Sequence, residues 1–524
     1  MSHNVQNSPR TRTIKCRSAG DRSPRFGRAV ASPALPDRDP GESTPHTATG
    51  YDQAGRVTTE TVAPPNPADP PQTTTYTYDD AGRQSTHRWG TTVLATSTYD
   101  AAGELASVSY ANGTALTTIG KDPAGRTTSL TWRTSDNLSI TSTVTRTRAG
   151  TIIDETLAGT DARPNAPNYV YDTVGRLTDA WVTGHHYTYD CTSSAPTGCP
   201  TGTQTNAGTN TNRVRLLDQT TAGTAETGYC YAAADRVLAT TGATTVSAIS
   251  YDSHGNTHGW TQGAATTTLG WDGADRNTTI AVTGADPATV TYLRDATDRI
   301  TGRNTTAGDT ATSIRYASTA GGDAADLALD AALRLQTRTI ALPGGVLYTI
   351  RGDGTATPTV DHPSVRGDLA LTTDHTGHHT GPLRTYTPSG DPVTTAGTLD
   401  PRPHPGQPTR PDGLRLAGPT PRPHEHAGAL SIIQMGARPY SPLLGRFLSV
   451  DPIDGGSAND YDHTAADPIN TTDLDGQRAR GPRTRNWRCH CGAPSGDSDS
   501  AKVAVRNGRL RLGICGVPRL SRRS

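Results

Sequence analysis

The stretch that decides the fold is Gly436 to Gly476, GARPYSPLLGRFLSVDPIDGGSANDYDHTAADPINTTDLDG. It opens with an aromatic strand segment and passes through Leu444-Gly445-Arg446-Phe447-Leu448-Ser449-Val450-Asp451-Pro452. It closes with an Asn-x-Tyr, an Asp-Pro-Ile-Asn and an Asp-Leu-Asp-Gly element. Gly445 before Arg446-Phe447-Leu448 reads as a turn feeding a short buried strand. Asp451-Pro452 ends that strand because proline has no ladder donor. Everything before this stretch repeats, and everything after it does not.

Moving outward toward the N-terminus, Tyr-Asp-x-x-Gly-Arg recurs as YDQAGR at 51–56, YDDAGR at 78–83 and YDTVGR at 171–176. Looser copies are YDAAGE at 99–104, GKDPAGR at 120–126, YAAADR at 231–236, YDSHGN at 251–256, WDGADR at 271–276 and RDATDR at 294–299. Asp starts a tight turn by bonding its own backbone, and Gly supplies the positive φ that the turn requires. The intervening TTTYTY (73–78) and TSLTWRT (128–134) alternate as half-buried strands do. Each unit therefore reads as a β-hairpin, and the better-behaved spacings, about 20–23 residues, read as a stacked array whose units depend on their neighbours. The Tyr, Asp, Gly and Arg of these units are turn-holding residues and are assigned to no site.

These motifs resemble the YD or RHS (rearrangement-hotspot) repeat, and Gly436–Gly476 resembles the RHS repeat-associated core. Gly436, Ala437, Arg438, Tyr440, Pro442, Gly445, Arg446, Phe447, Asp451, Pro452, Asn459, Tyr461, Pro468, Asp473 and Gly476 stand at the places of that pattern. Pro439 and Ser441 depart from it. The segment before the core is similar too, with Asp361, His362, Leu371, Thr373, Asp374, Gly377, Tyr386, Pro388 and Gly390 in register. The resemblance implies an all-β fold in which the hairpin array winds into a spiral β-sheet shell closed by the core. It also implies a role as shell or delivery scaffold of a bacterial polymorphic toxin that encloses a C-terminal effector. On that reading the chain divides into a basic arm without a fold of its own (1–48), the repeat array (49–320), a pre-core β segment (321–400), a Pro-rich linker that breaks strands (401–427), the core (428–476) and a variable tail (477–524), read as a truncated effector remnant.

In several members of the family that this core resembles, the core cleaves itself just after the terminal Asp-x-x-Gly. By position the candidate acid pair is Asp451 and Asp462, an arrangement in which proximity splits two carboxyl pKa values so that one holds a proton while the other activates water. The cut would fall at Gly476 and Gln477. Val450 and Gln477 depart from the cleaving pattern, and the competing reading makes Asp451 a turn cap and Asp462 a surface residue. No other enzymatic activity, cofactor or metal is expected. The partners implied are the chain's own C-terminal segment, an immunity protein or a secretion component. A second reading is a cell-surface or wall-associated adhesion protein with a carbohydrate or protein partner, and a third is an enzyme, through the core or a nuclease-like tail. Both leading readings place the protein outside the cell or on its surface.

Composition agrees with a thin-cored β protein. Only 32% of the 524 residues are hydrophobic, with two Phe and two Met against eighteen Tyr, so densely packed helices are not expected. Forty-nine basic and forty-nine acidic residues balance, which removes a chain-wide electrostatic footprint for nucleic acid or anionic membrane. The charge is uneven: residues 477–524 carry twelve Arg/Lys against Asp497 and Asp499, which suits phosphate contact but lacks an acidic cluster for metal. No stretch reaches the roughly 18 apolar residues of a membrane span, and no apolar run of a signal peptide stands at the N-terminus.

Seven Cys make no dense disulfide framework. Cys191 and Cys199 flank SSAPTG and either close a short loop or stay as two thiols, and Cys230 has no obvious partner. ADLALDAALRL at 325–335 is the one place where helix is expected. His362, His375, His378 and His379 lie close together, as do Cys489, His490, Cys491 and, further on, Cys515. Neither group has the fixed spacing of a zinc site on one element.

Overall fold

The computed structural model describes residues 45–479, apart from 193, 320–323, 353–356, 395–396, 398, 400–413, 417–420, 426–429, 454, 456 and 458. Among the described residues the regular elements are β-strands and three short 3-10 turns, as the sequence leads one to expect. Three large antiparallel meanders follow one another. Eleven strands run from His46–Tyr51 to Thr160–Asp161, six from Tyr169–Tyr171 to Val237–Gly242, and twelve from Ser247–Tyr251 to Leu369–Thr373. Each strand pairs with the next in sequence, so these sheets are open, and the expected winding into a spiral is not given by the strand pairing itself. A two-stranded ribbon, Arg384–Tyr386 with Pro392–Thr394, leads to a five-stranded sheet that holds the core.

The repeat turn is built as its residues dictate. In the first copy, Asp52 N–H donates to the Arg56 carbonyl and Gly55 N–H to the Asp52 carbonyl. Asp52 Oδ1 accepts from the amides of Ala54 and Arg56, and Oδ2 accepts from Arg56 Nε at 2.7 Å. The same pattern recurs at Asp79, Asp122, Asp172, Asp272 and Asp295. Where a copy carries Asp instead of Gly, the chain keeps the left-handed conformation: φ is 57° at Asp235, 61° at Asp275 and 70° at Asp298. Asp visits that region at modest cost.

In six of the units an aromatic residue ties the unit to an earlier one. Tyr78 Oη donates to the Val57 carbonyl at 2.6 Å while Arg56 lies over the Tyr78 ring at 4.5 Å. Tyr99, Tyr171, Tyr231 and Tyr251 repeat the link to Gln84, Ile152, Arg213 and Val237, and Trp271 Nε1 takes the same role toward Thr257. Neighbour dependence is thus written into one hydrogen bond in each of these units.

Core contacts join distant parts of the chain. Leu94, Val108, Leu116 and Trp132 of the first sheet pack with Ile340, Val346, Tyr348 and Val360 of the third. Trp132 Nε1 and Tyr110 Oη donate to the Pro363 and Pro343 carbonyls. Strands of the second and third sheets, including Tyr229, Val237, Leu269 and Ile280, close on Leu430, Ile432, Leu444 and Leu448.

Several expectations are corrected. Residues 325–335 form no helix: the strands Leu327–Leu329 and Leu335–Leu342 flank an Asp330–Arg334 turn, because Asp330 Oδ1 takes the Ala332 and Arg334 amides as in the repeats. The boundary drawn at 320 falls inside the third sheet, where Thr310–Ala317 pairs with Leu327–Leu329. His46–Ala48, placed in the basic arm, are the start of the first strand. The Pro-rich linker contains two strands, Leu414–Leu416 and Pro421–Glu425. Pro421 and Pro423 occupy alternate positions, so both missing donors fall on one strand edge. Glu425 anchors the linker through Arg303, whose Nε and Nη2 reach its carboxylate at 2.8 and 2.6 Å.

Neither Cys191 nor Cys199 pairs as the short loop would have it. Cys199 bonds Cys230, and Cys191 is a buried thiol. Cys230 sits on the strand Gly223–Tyr231, against which the 191–211 insertion folds back, so proximity in space replaces proximity in sequence. His362 packs at a tilt against Trp132 and has Nε2 3.1 Å from Thr373 Oγ1, and burial pushes its pKa down to about 3. It is a packing residue. The arm 1–44 and the tail beyond 479, with Cys489, His490, Cys491 and Cys515, lie outside the described residues.

Candidate functional site

The chain's repeat turn returns at the end of the core in altered form. Asp473-Leu474-Asp475-Gly476-Gln477 has the Asp-x-x-Gly-x spacing: Asp473 Oδ1 accepts from the Gln477 amide at 3.0 Å, as Asp52 does from Arg56. In the repeats the second carboxylate oxygen takes the arginine at position five. Here that position is Gln477, and Asp473 Oδ2 is met from outside the turn by Arg438 Nη2 at 3.1 Å.

Arg438 opens the strand Arg438–Ser441, next to the tight turn at Gly436-Ala437 that follows Ile432–Met435. Its side chain is 1% exposed and its Nη2 also reaches Asp451 Oδ2 at 3.0 Å. Asp451 and Asp473 therefore share one guanidinium nitrogen. Arg438 Nε donates to the Gly476 carbonyl at 2.6 Å, and Nη1 to the Asp460 carbonyl at 3.2 Å. The 473–477 segment is clamped onto the hairpin, with the Ala437 amide bonded to the Asp475 carbonyl. Gly476 has φ of 64°, and a Cβ there would lie 2.3 Å from the Met435 carbonyl oxygen. Only glycine fits this close approach.

Both ends of the Gly476–Gln477 peptide bond are consequently held by charged side chains. Its oxygen faces Arg438 Nε, and its N–H faces Asp473 Oδ1, with Asp475 Oδ1 at 3.2 Å. Burial pushes the Asp473 carboxyl up to about 6, against the pull of Arg438 and with Asp475 adding to the rise. Asp451 is fixed from two further sides: Ser457 Oγ donates to Oδ2 at 2.6 Å, and the Ile453 amide to Oδ1 at 2.9 Å. The arrangement provides an electrophilic donor on a carbonyl, a carboxyl that holds its proton up to about pH 6, and a second carboxylate. Those are the parts of acid-base peptide hydrolysis.

Asp451, Gly476 and Gln477 of the sequence reading thus meet at Arg438. Asp462 stands elsewhere, held by Thr211 Oγ1 at 2.9 Å from Oδ2 and lining a cavity with Arg446 and His463. It is 9% exposed rather than a surface residue, and burial pushes its pKa up to about 6. The structure pairs Asp451 with Asp473 through Arg438. Sequence reasoning placed Asp473 only in the approach to the cut, although its match to the repeat turn was a usable signal.

The fold these sheets define is that of the β shells of solved toxin-complex structures. The crystal structure of TcdB2-TccC3-Cdc42 matches with a TM-score of 0.59 at 15% identity, over 82% of this chain and 21% of that chain. The TcdB2-TccC3 crystal structure matches at 0.58 and 15%, over 82% and 22%. The Photorhabdus luminescens Tc holotoxin pore matches at 0.56 and 16%, over 83% and 21%. At such identity the likeness is one of fold, and this chain spans about a fifth of the length of those chains. No protein-family model and no curated protein matches the chain.

Proposed function

We propose that the chain is the shell or scaffold portion of an RHS-type bacterial polymorphic toxin, enclosing or presenting the segment after Gly476, and that it frees that segment by cutting itself at Gly476–Gln477. The observation that carries the reading is the double grip on this one peptide bond by Arg438 and Asp473, with Asp451 on the same guanidinium. The fold likeness to the toxin-complex structures supports the shell half of the reading.

In the cleavage, water adds to the Gly476 carbonyl carbon while Asp451 takes its proton. Arg438 Nε bonds the oxyanion. The carbon–nitrogen bond then breaks as Asp473 gives its proton to the Gln477 nitrogen, leaving a Gly476 carboxylate and a free Gln477 amine. The sequence-based pair, Asp451 with Asp462, is the rival assignment. Export to the cell surface or medium, and an immunity protein or secretion component as partner, follow from the toxin reading as further proposals.

The test is a set of three variants run on denaturing gels. Asp451→Asn and Asp473→Asn are expected to stay full length while Asp462→Asn is cut like the wild type. Cutting in Asp473→Asn together with an intact Asp462→Asn would move the assignment back to Asp462.

A further inference from the structure

The insertion that begins at Cys191 joins the strands His185–Asp190 and Arg215–Thr220, and its middle is fixed to the second sheet by the Cys199–Cys230 bond. Near its end the backbone bends sharply. Thr211 has φ of 66°, a left-handed conformation that a β-branched residue adopts only under constraint. At this bend the insertion meets the core: Asn459 Nδ2 donates to the Asn210 carbonyl at 2.8 Å, with Thr211 Oγ1 at 3.1 Å and Asn212 Oδ1 at 3.2 Å. Asn459 Oδ1 in turn accepts from the Tyr461 amide at 2.9 Å.

Between Asn459 and Tyr461 stands Asp460, whose backbone carbonyl accepts from the Asp451 amide at 2.8 Å and from Arg438 Nη1 at 3.2 Å. One carbonyl therefore places both the carboxylate assigned as base and the guanidinium that holds the Gly476 carbonyl. On one side it is anchored by Tyr461 Oη, which donates to the Gly255 carbonyl at 2.7 Å. On the other side the anchor is the insertion, through Asn459. Other ties of the insertion are single hydrogen bonds, such as Gln204 N–H to the Tyr231 carbonyl and Asn212 Nδ2 to Asp235 Oδ1. They are weak beside a covalent link between residues 31 apart. Without that link the strained bend at Thr211 is free to relax and to draw its acceptors away from Asn459.

We propose, on the basis of self-cleavage at Gly476–Gln477, that Asn459 is a positioning residue for the cut and that the Cys199–Cys230 bond makes the cut redox-dependent by holding the insertion against Asn459. A dithiol reductant breaks the sulfur–sulfur bond with two electrons and two protons, leaving two thiols while the dithiol closes to its own disulfide. Cys199 is half-buried, so such a reagent reaches it. The cut is then slow in a reducing compartment and proceeds in an oxidising one, where the bond persists.

The experiment starts from the full chain purified in dithiothreitol at neutral pH, then either kept reduced or oxidised with glutathione disulfide. Two readouts are followed: the rate of cutting on denaturing gels, and hydrogen exchange at the Asp451 and Tyr461 amides. Oxidation is expected to speed cutting by roughly tenfold to a hundredfold and to protect both amides. Asn459→Asp keeps the size and the Tyr461 contact but turns the donor into an acceptor, and should cut at the reduced rate in both states. Cys199→Ser should do the same, and the double variant should be no slower than either, since both act on one contact. Equal cutting rates for oxidised and reduced wild type would overturn the inference and leave the cleavage reading standing. So would equal protection of the two amides in both states, or an Asn459→Asp chain that still responds to oxidation. A wild type that stays full length in both states would overturn the cleavage reading and this inference together. If the variants do not fold, the wild-type comparison decides alone.

Discussion

Arg438 Nε donates to the carbonyl oxygen of Gly476 at 2.6 Å, across 38 residues of chain and in a buried setting. That single bond positions the peptide that follows Gly476. Because the same side chain neutralises Asp451 and Asp473, Arg438 is as important to stability as to chemistry. Arg438→Met should leave two buried carboxylates without their cation and cost roughly 3–5 kcal/mol, read as a lowered urea midpoint. A midpoint within error of the wild type would mean the acids find other partners.

Gly175 has φ of 91° with open space where a Cβ would stand, so a substitution there tests backbone conformation alone. Gly175→Val should cost on the order of 1–3 kcal/mol. Gly175→Asp should cost no more than about 1 kcal/mol, since the chain itself uses Asp at this turn position in Asp235, Asp275 and Asp298. Equal melting temperatures for the two variants would remove the turn argument.

How much of this was legible in the sequence depends on the range of the interaction. The repeat turns were, because Asp52 and Arg56, or Asp172 and Arg176, satisfy one another within five residues. The positive φ of Gly82 and Gly175 follows from the same local chemistry. The Cys199–Cys230 bond and the Arg438–Asp473 contact were not, because each joins segments that only the folded sheet brings together. Residues 325–335 misled because Ala328, on the opposite face of the strand from Leu327 and Leu329, is buried as well, which erases the strand alternation.

The disulfide spans 31 residues and ties the 191–211 insertion to the second sheet. Reduction, or Cys230→Ser, should lower stability by roughly 3–4 kcal/mol on the chain-entropy argument. Peptide mapping after alkylation checks the pairing: Cys199 and Cys230 should be linked and Cys191 should react only once the chain is unfolded. A Cys191–Cys199 peptide would refute it.

For pH, Asp462 is raised from 3.8 to about 6 by burial. The folded state therefore holds its proton more tightly than the unfolded chain. Its contribution to stability is full below about pH 4 and is lost as pH rises through 6. Asp462→Asn cannot suffer that loss. The stability of Asp462→Asn relative to wild type should grow by on the order of 2–3 kcal/mol between pH 4 and 7, measured by urea unfolding at each pH. A difference that stays flat across this window would show that the carboxyl titrates normally.

The most direct measurement is the intact mass of the purified wild-type chain, taken with and without denaturant after incubation near neutral pH. The grip of Arg438 and Asp473 on Gly476–Gln477 predicts two species, the smaller of about 5 kDa and beginning at Gln477, absent from Asp473→Asn. A single wild-type species at 54.9 kDa would contradict it and leave a β-sheet protein that holds its terminal peptide without cutting it.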